Sequence, residues 1–332
     1  MKKIIKFTLI MALAVVCSWN TGKAQVGLEK VGQSTMNFLK VGVSPTAASL
    51  GNAFTTIGTG AESVFYNPSG IAQVSNISAF LSNTMWIADI NYTAAAVAKR
   101  FGTIGSFGLN VLSVDYGDIT QTQLLSAADP QGYREVGPMD IGAFGVGLSY
   151  ARQISNQFSM GGQIQYVGQT LGTTGFDTGE QKNQMRKLTL NFGMKFNTGY
   201  KGFQFAMAVR NFSSAAQYEE VSAQLPLVFM SGVAIDLLDV MMPGHSENTS
   251  LMVASEFLHP NNFTERVNFG AEYQLGIISV RGGYEHNRDL GGLSAGFGLT
   301  PEIGNAIFGI NYSYSAMAVF DGVNRFSLVA AF

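Results

Sequence analysis

The residues able to do chemistry are few. Three histidines, His245, His259 and His286, are candidate bases or metal ligands. None stands at ligand spacing from another, so no metal site is expected. His286-Asn287-Arg288-Asp289, followed by Ser294, supplies the residue types of a serine hydrolase. Nothing in the pattern orients the base or brings the hydroxyl to it, so the segment reads as a polar loop tip and no enzymatic activity is expected. Gly142, Gly145, Gly147 and Gly291-Gly292 lack the strand, lysine and helix of a phosphate loop, and no cofactor is expected. What remains is a set of charges, Lys195, Arg210, Asp236, Glu256, Glu272, Arg281, Glu285 and Arg325. All fall on the polar phase of alternating segments. In a confined interior they would line a solute path, or pair with one another and hold a second segment; their mixed signs favour the latter.

The elements that carry these charges alternate with period two from about Asn76 onward. Leu188, Leu190, Phe192, Met194 and Phe196 alternate with Thr189, Asn191, Gly193 and Lys195. Val267, Phe269, Ala271 and Tyr273 do the same, as do Phe308, Ile310, Tyr312 and Tyr314. Such alternation marks strands with one apolar and one polar face. The polar face is built from Gly, Ser, Thr, Asn and Gln, with little Lys or Glu. A soluble sandwich would carry more charge on its wet side. A barrel with lipid outside and a wet or plugged interior fits better.

Composition agrees. Of 332 residues only 13% are charged, while 46% are hydrophobic and 39 are Gly. The 24 Phe and 12 Tyr exclude disorder. Lys and Arg (20) balance Asp and Glu (22), which excludes a strongly basic nucleic-acid binder. At the N-terminus, Met1, Lys2, Lys3 and Lys6 precede the apolar run Phe7 to Val16, and Gly22-Lys23-Ala24 offers small residues for cleavage. Residues 1–24 are therefore expected to be a signal peptide, and the single Cys17 is expected to leave with it.

Strands are predicted at 76–88, 92–101, 103–118, 138–151, 157–171, 184–197, 203–212, 225–238, 249–258, 264–275, 277–286, 292–299, 304–315 and 323–332. Fourteen is an even number, as single-chain bacterial barrels have. Connections after even strands are mostly short and those after odd strands mostly long. The short one at 89–91 and the long one at 239–248 break that parity. The expected fold is thus an all-β, 14-stranded antiparallel transmembrane β-barrel over residues 76–332, exported to the bacterial outer membrane. Residues 25–75 follow a different grammar and are expected to form an N-terminal hatch or plug. Within them, Tyr66-Asn67-Pro68-Ser69-Gly70 is a turn by its own chemistry.

Phe38-Leu39-Lys40-Val41-Gly42-Val43, Ala47-Ala48-Ser49-Leu50-Gly51-Asn52-Ala53-Phe54 and Tyr66-Asn67-Pro68-Ser69-Gly70-Ile71-Ala72 lie just before the barrel. Near the C-terminus stand Val280-Arg281-Gly282-Gly283-Tyr284, Leu293-Ser294-Ala295-Gly296-Phe297-Gly298-Leu299 and Asn324-Arg325-Phe326-Ser327-Leu328. In this order they resemble the PorV/PorQ family of outer-membrane proteins. The resemblance covers both ends. It implies a barrel like that of FadL, the fatty-acid transporter, with a hatch containing Gly51, Asn67, Pro68 and Gly70. It also implies binding of type IX secretion cargo by its C-terminal domain and delivery to the surface attachment machinery, with outer-membrane lipid, secretion components and cargo as partners. Thr46 and Ser69 depart from the family's usual Arg and Ala. The second expectation is a FadL-like transporter that takes a hydrophobic ligand into its lumen.

Overall fold

A computed structural model describes residues 33–332 apart from 125–130, 177–178, 219–220, 243, 247 and 289–290. The expected signal peptide lies outside the described residues. Among those described, fourteen antiparallel strands close into one barrel. They are β1 (Ile77–Met85), β2 (Asn91–Arg100), β3 (Ser106–Asp115), β4 (Ile141–Gln153), β5 (Phe158–Phe176), β6 (Gly179–Asn197) and β7 (Gln204–Phe212). Then come β8 (Val228–Asp236), β9 (Thr249–Pro260), β10 (Arg266–Leu275), β11 (Ile278–His286), β12 (Leu293–Leu299), β13 (Ala306–Ser315) and β14 (Val323–Ala331). The first and last strands pair from Ser78 against Ala331 to Met85 against Asn324, which removes both sheet edges.

The period-two pattern sorts the side chains as the sequence implied. On β6, Leu188, Phe192 and Phe196 are exposed on the outside, while Thr189, Asn191 and Lys195 are buried within. The exposed Phe, Leu, Val and Tyr continue around the ring, from Leu109 and Val111 through Phe269 to Phe326 and Leu328. In water that surface would be an aggregation hazard; against acyl chains it is the correct solvent. Each strand of the ring has a paired neighbour on both sides, which meets the backbone polar groups as a bilayer demands.

Differences from expectation lie at strand ends. The predicted 172–183 loop is instead the top of a long hairpin, because β5 runs to Phe176 and β6 starts at Gly179. Phe176 apart, its sequence is polar or Gly in both phases, so no apolar alternation marks it. The expected 225–238 strand shrinks to β8. Pro226 brings no N–H to a ladder, and the Asp236 carboxylate accepts from Leu238 N at 2.9 Å to cap a helix at Leu237–Met241. The expected loops 119–137 and 213–224 hold small hairpins, Thr120–Leu124 with Tyr133–Pro138 and Ala216–Tyr218 with Val221–Ala223. At the opposite end most turns are tight, the connection through the helix at Leu237–Met241 apart. Leu275 pairs directly with Ile278 across Gly276, whose φ of 58° suits a two-residue hairpin.

Residues 34–74 form four short helical turns: Asn37–Lys40, Pro45–Ser49, Ala61–Phe65 and Pro68–Gln73. Ser44 caps the second by accepting from Ala47 N at 3.1 Å, with Pro45 at the first position. Asn67 caps the fourth. Met36, Phe38, Leu50, Phe54, Val64, Tyr66 and Ile71 form one buried cluster with inward-facing Tyr92, Leu112 and Val167 of the wall.

Candidate functional site

The wall receives this N-terminal segment on two bare seats. At the first, a Cβ on Gly161 would lie 2.8 Å from the Pro68 carbonyl, and one on Gly193 would strike the Asn67 side chain. At the second, a Cβ on Gly270 would lie 2.6 Å from Leu50 O, and one on Gly283 would overlap the backbone of Leu50 and Gly51. Only glycine leaves room for backbone to approach a strand so closely. Gly51 itself has φ 59°, and Gly70 faces the Gly58 carbonyl at 2.6 Å from its missing Cβ. Asn67 is 1% exposed and its amide is fully used. Its Oδ1 accepts from Ser69 N and Ser69 Oγ at 3.1 and 2.7 Å, and its Nδ2 donates to Thr55 O and Met194 O at 3.0 and 3.3 Å.

All the charges singled out in the sequence face the lumen, and most of them reach the segment. Lys195 Nζ donates to Gly58 O at 2.9 Å, and Arg210 Nη2 to Leu39 O at 3.4 Å. Glu256 accepts from Thr55 N at 2.8 Å, and Glu285 from Asn52 Nδ2 at 2.9 Å. Arg325 Nε donates to Gly42 O at 2.9 Å. Glu272 and Arg281 instead pair with each other across β10 and β11, and Arg281 also donates to Asn311 Oδ1 at 2.9 Å. Asp236 stays with its own helix and with Leu251 N.

Above and below the segment lie two chambers of opposite character. At the end of the long loops a cavity of about 650 Å³ is walled by Trp86, Tyr92, Tyr116 and Phe263 and carries Lys40, Arg266, Arg288 and Arg325 against, among the described residues, the one carboxylate of Glu285. Trp86 and Tyr92 meet edge to face at 6.3 Å. The Arg325 guanidinium lies 5.6 Å from the Trp86 ring, and Lys40 Nζ sits 4.0 Å over Phe263. Burial, and then the charge of Arg266, lowers the Lys40 pKa to about 8. At the short-turn end a cavity of about 480 Å³ is lined by amides and by Glu62, Glu272 and Arg281. Glu62 accepts from Ser44 Oγ at 2.8 Å, and its burial raises its pKa to about 7.

Sequence spacing missed one grouping. Asp236, Asp239 and His245 bring one ligand atom each within 4.8 Å of one another beside the helix at Leu237–Met241. Histidine spacing alone could not show it, because the other donors are carboxylates. By contrast, His286 points outward from β11, whereas Ser294 faces inward on β12 and accepts from Gly51 N at 3.2 Å. They occupy opposite sides of the wall and form no nucleophile–base pair. Asp289 lies outside the described residues.

No family model and no curated protein matches the chain. Solved structures do. The chain is similar to the CymD monoaromatic hydrocarbon channel, with 12% identity and a TM-score of 0.57 over 88% of this chain and 98% of that one. A Pseudomonas aeruginosa FadL homologue matches at 11% identity and TM-score 0.54, covering 87% and 98%. The Pseudomonas putida toluene transporter TodX matches at 8% and 0.53, covering 86% and 96%. At such identities the likeness establishes the fold: a closed 14-stranded barrel of the FadL type. It lends no support to the PorV/PorQ placement or to a part in type IX secretion.

Proposed function

We propose that the protein is an outer-membrane channel for hydrophobic small molecules, with its ligand chamber at the long-loop end. One observation carries the reading. An aromatic-walled cavity of about 650 Å³ opens among the long loops and is floored by residues 34–74, inside a barrel whose outer face is apolar. Such a space, largely preformed and mostly apolar with a few placed polar groups, is what small-molecule sites look like. The names of CymD and TodX, channels for aromatic hydrocarbons, support the ligand class.

In this reading residues 25–75 are the plug and 76–332 the wall. Gly51, Asn67, Pro68 and Gly70 seat the plug. Lys195, Arg210, Glu256 and Arg325 hold it, while Glu272 and Arg281 brace the wall beneath it. Transport then requires the plug to shift or the ligand to pass around it.

Of the chain's 2 tryptophans, Trp19 lies in the expected signal peptide and Trp86 in the chamber wall. A chain expressed from Gln25 therefore carries its own fluorescent reporter. Titrating that protein in lipid nanodiscs with bromobenzene, a heavy-atom quencher, is expected to quench Trp86 saturably. A Trp86→Phe, Leu188→Trp variant, with its indole on the lipid face, should show only linear quenching from partition. Linear quenching in both proteins would reject the reading.

A further inference from the structure

The two chambers differ in charge as well as in polarity, and that difference bears on the ligand. Among the described residues, the long-loop chamber gathers four cations and one carboxylate. Glu285 is already engaged by Arg288 and by Asn52 Nδ2. Among the described residues, neither Lys40 nor Arg325 has a carboxylate within ion-pair distance. Arg325 is fixed from below, by Nε to Gly42 O and by Nη1 to Ser315 Oγ at 3.0 Å. It also lines the chamber, with its guanidinium 5.6 Å from the Trp86 ring. An excess of one sign inside a low-dielectric enclosure raises the local concentration of the opposite ion. A chamber meant only for neutral hydrocarbon gains nothing from it, because buried charge has a desolvation cost.

Resting on the channel reading, we propose that this chamber selects an aromatic anion: a one- or two-ring planar body bearing a carboxylate, its ring against Trp86 and Tyr92 and its acid group between Arg325 and Lys40. The aromatic half of the ligand follows from the walls. Trp86, Tyr92, Tyr116 and Phe263 offer faces and edges for a flat ring, and a guanidinium stacks on one. A long alkyl chain finds less. The further recess beside Leu39, Val228, Met230 and Leu258 holds only about 100 Å³ and is also lined by Arg210 and Arg266. No covalent step is involved; the site binds and releases.

The test compares 4-bromobenzoate, bromobenzene and 11-bromoundecanoate in the Trp86 quenching assay, in nanodiscs of uncharged lipid at fixed ionic strength. The expected order places 4-bromobenzoate about tenfold tighter than bromobenzene, the worth of one charge-assisted contact. Arg325→Gln should remove most of that advantage, read as the ratio of 4-bromobenzoate to bromobenzene affinity, a ratio that loosening of the segment alone would not change. Lys40→Met, which leaves the Arg325 anchor to Gly42 in place, should remove about half of it on a logarithmic scale. Raising salt should weaken the benzoate alone. Equal binding of benzoate and bromobenzene would overturn the aromatic-anion proposal while leaving the channel reading intact. Tighter binding of the bromoundecanoate would also overturn it, in favour of an alkyl acid. Loss of saturable quenching by all three probes would reject the channel reading itself.

Discussion

The two ends of the lumen are built by the same fourteen strands and yet differ in kind. The long-loop chamber is aromatic and cationic; the short-turn chamber is amide-lined, with Glu62 and Glu272 against Arg281. No strand changes its alternation between them. What divides them is the N-terminal segment, which crosses the lumen on two glycine seats and is tied by Lys195, Arg210, Glu256, Glu285 and Arg325. The lesson is that a barrel wall supplies a neutral polar interior by default. Chemical polarity along the axis comes from what is placed inside it.

The strongest way to break the contrast is to unseat the segment. Gly283→Val would set side-chain carbons where the backbone of Leu50 and Gly51 now lies. Overpacking typically destabilises by about 1–3 kcal/mol, and the upper end is expected here because the obstacle is backbone, of Leu50 and Gly51. The expected outcome in planar bilayers is a barrel that conducts, with the two chambers joined, where the parent is closed. Heat-shifted migration on gels would confirm that the wall still forms.

A gentler separation uses pH. Glu62 has a folded pKa raised to about 7 by burial, from an ordinary value of 4.5. A raised acid contributes its stability below the unfolded value and loses it as pH rises through the folded one. Urea unfolding in detergent should therefore show the barrel less stable at pH 8 than at pH 5. Each tenfold change in proton affinity corresponds to about 1.4 kcal/mol, before solvent penetration reduces it. Glu62→Gln, which can still accept from Ser44 Oγ, should flatten the profile by raising stability at pH 8 only.

Asn67→Ala comes next. It deletes a buried amide that satisfies two backbone carbonyls and the start of the Pro68–Gln73 turn. A loss of about 2 kcal/mol is expected, because buried partners are left unpaired. The smallest effect belongs to the rim. Lys182 and Asp140 pair at 2.6 Å, with side chains 47% and 67% exposed. Lys182→Ala should change the unfolding free energy by less than about 0.5 kcal/mol. A larger loss there than at Asn67 would mean that the lumen contacts do not hold the structure together.

Much of the wall was legible in the sequence, because a two-residue period reports directly on which face meets lipid. All fourteen strands fall where alternation of Phe, Leu, Val and Tyr with Gly, Ser and Asn put them. The exceptions are instructive. The ends of β5 and β6, up to Phe176 and from Gly179, are strand without an alternating apolar phase, so the period could not mark them. The Tyr66-to-Gly70 turn was also legible, since Asn before Pro is local chemistry. The partners of the lumen charges were not. Arg325 meets Gly42 across 283 positions and Lys195 meets Gly58 across 137. No local pattern encodes such pairings; closure of the ring creates them. The division into a cationic and an amide-lined chamber was hidden for the same reason. The phase of Lys40, Arg266 and Arg288 gives no height along the barrel until the segment is in place. Asp236, Asp239 and His245 converge only because a helix interrupts the connection after β8.

On the proposed function, a hydrophobic ligand lodges in the long-loop chamber, above the N-terminal segment. Anomalous diffraction at the bromine edge from crystals soaked in bromobenzene tests it most directly. An anomalous peak is expected inside the barrel, between Trp86 and Phe263. Bromine found only along the lipid-facing wall, or only in the short-turn chamber, would contradict it.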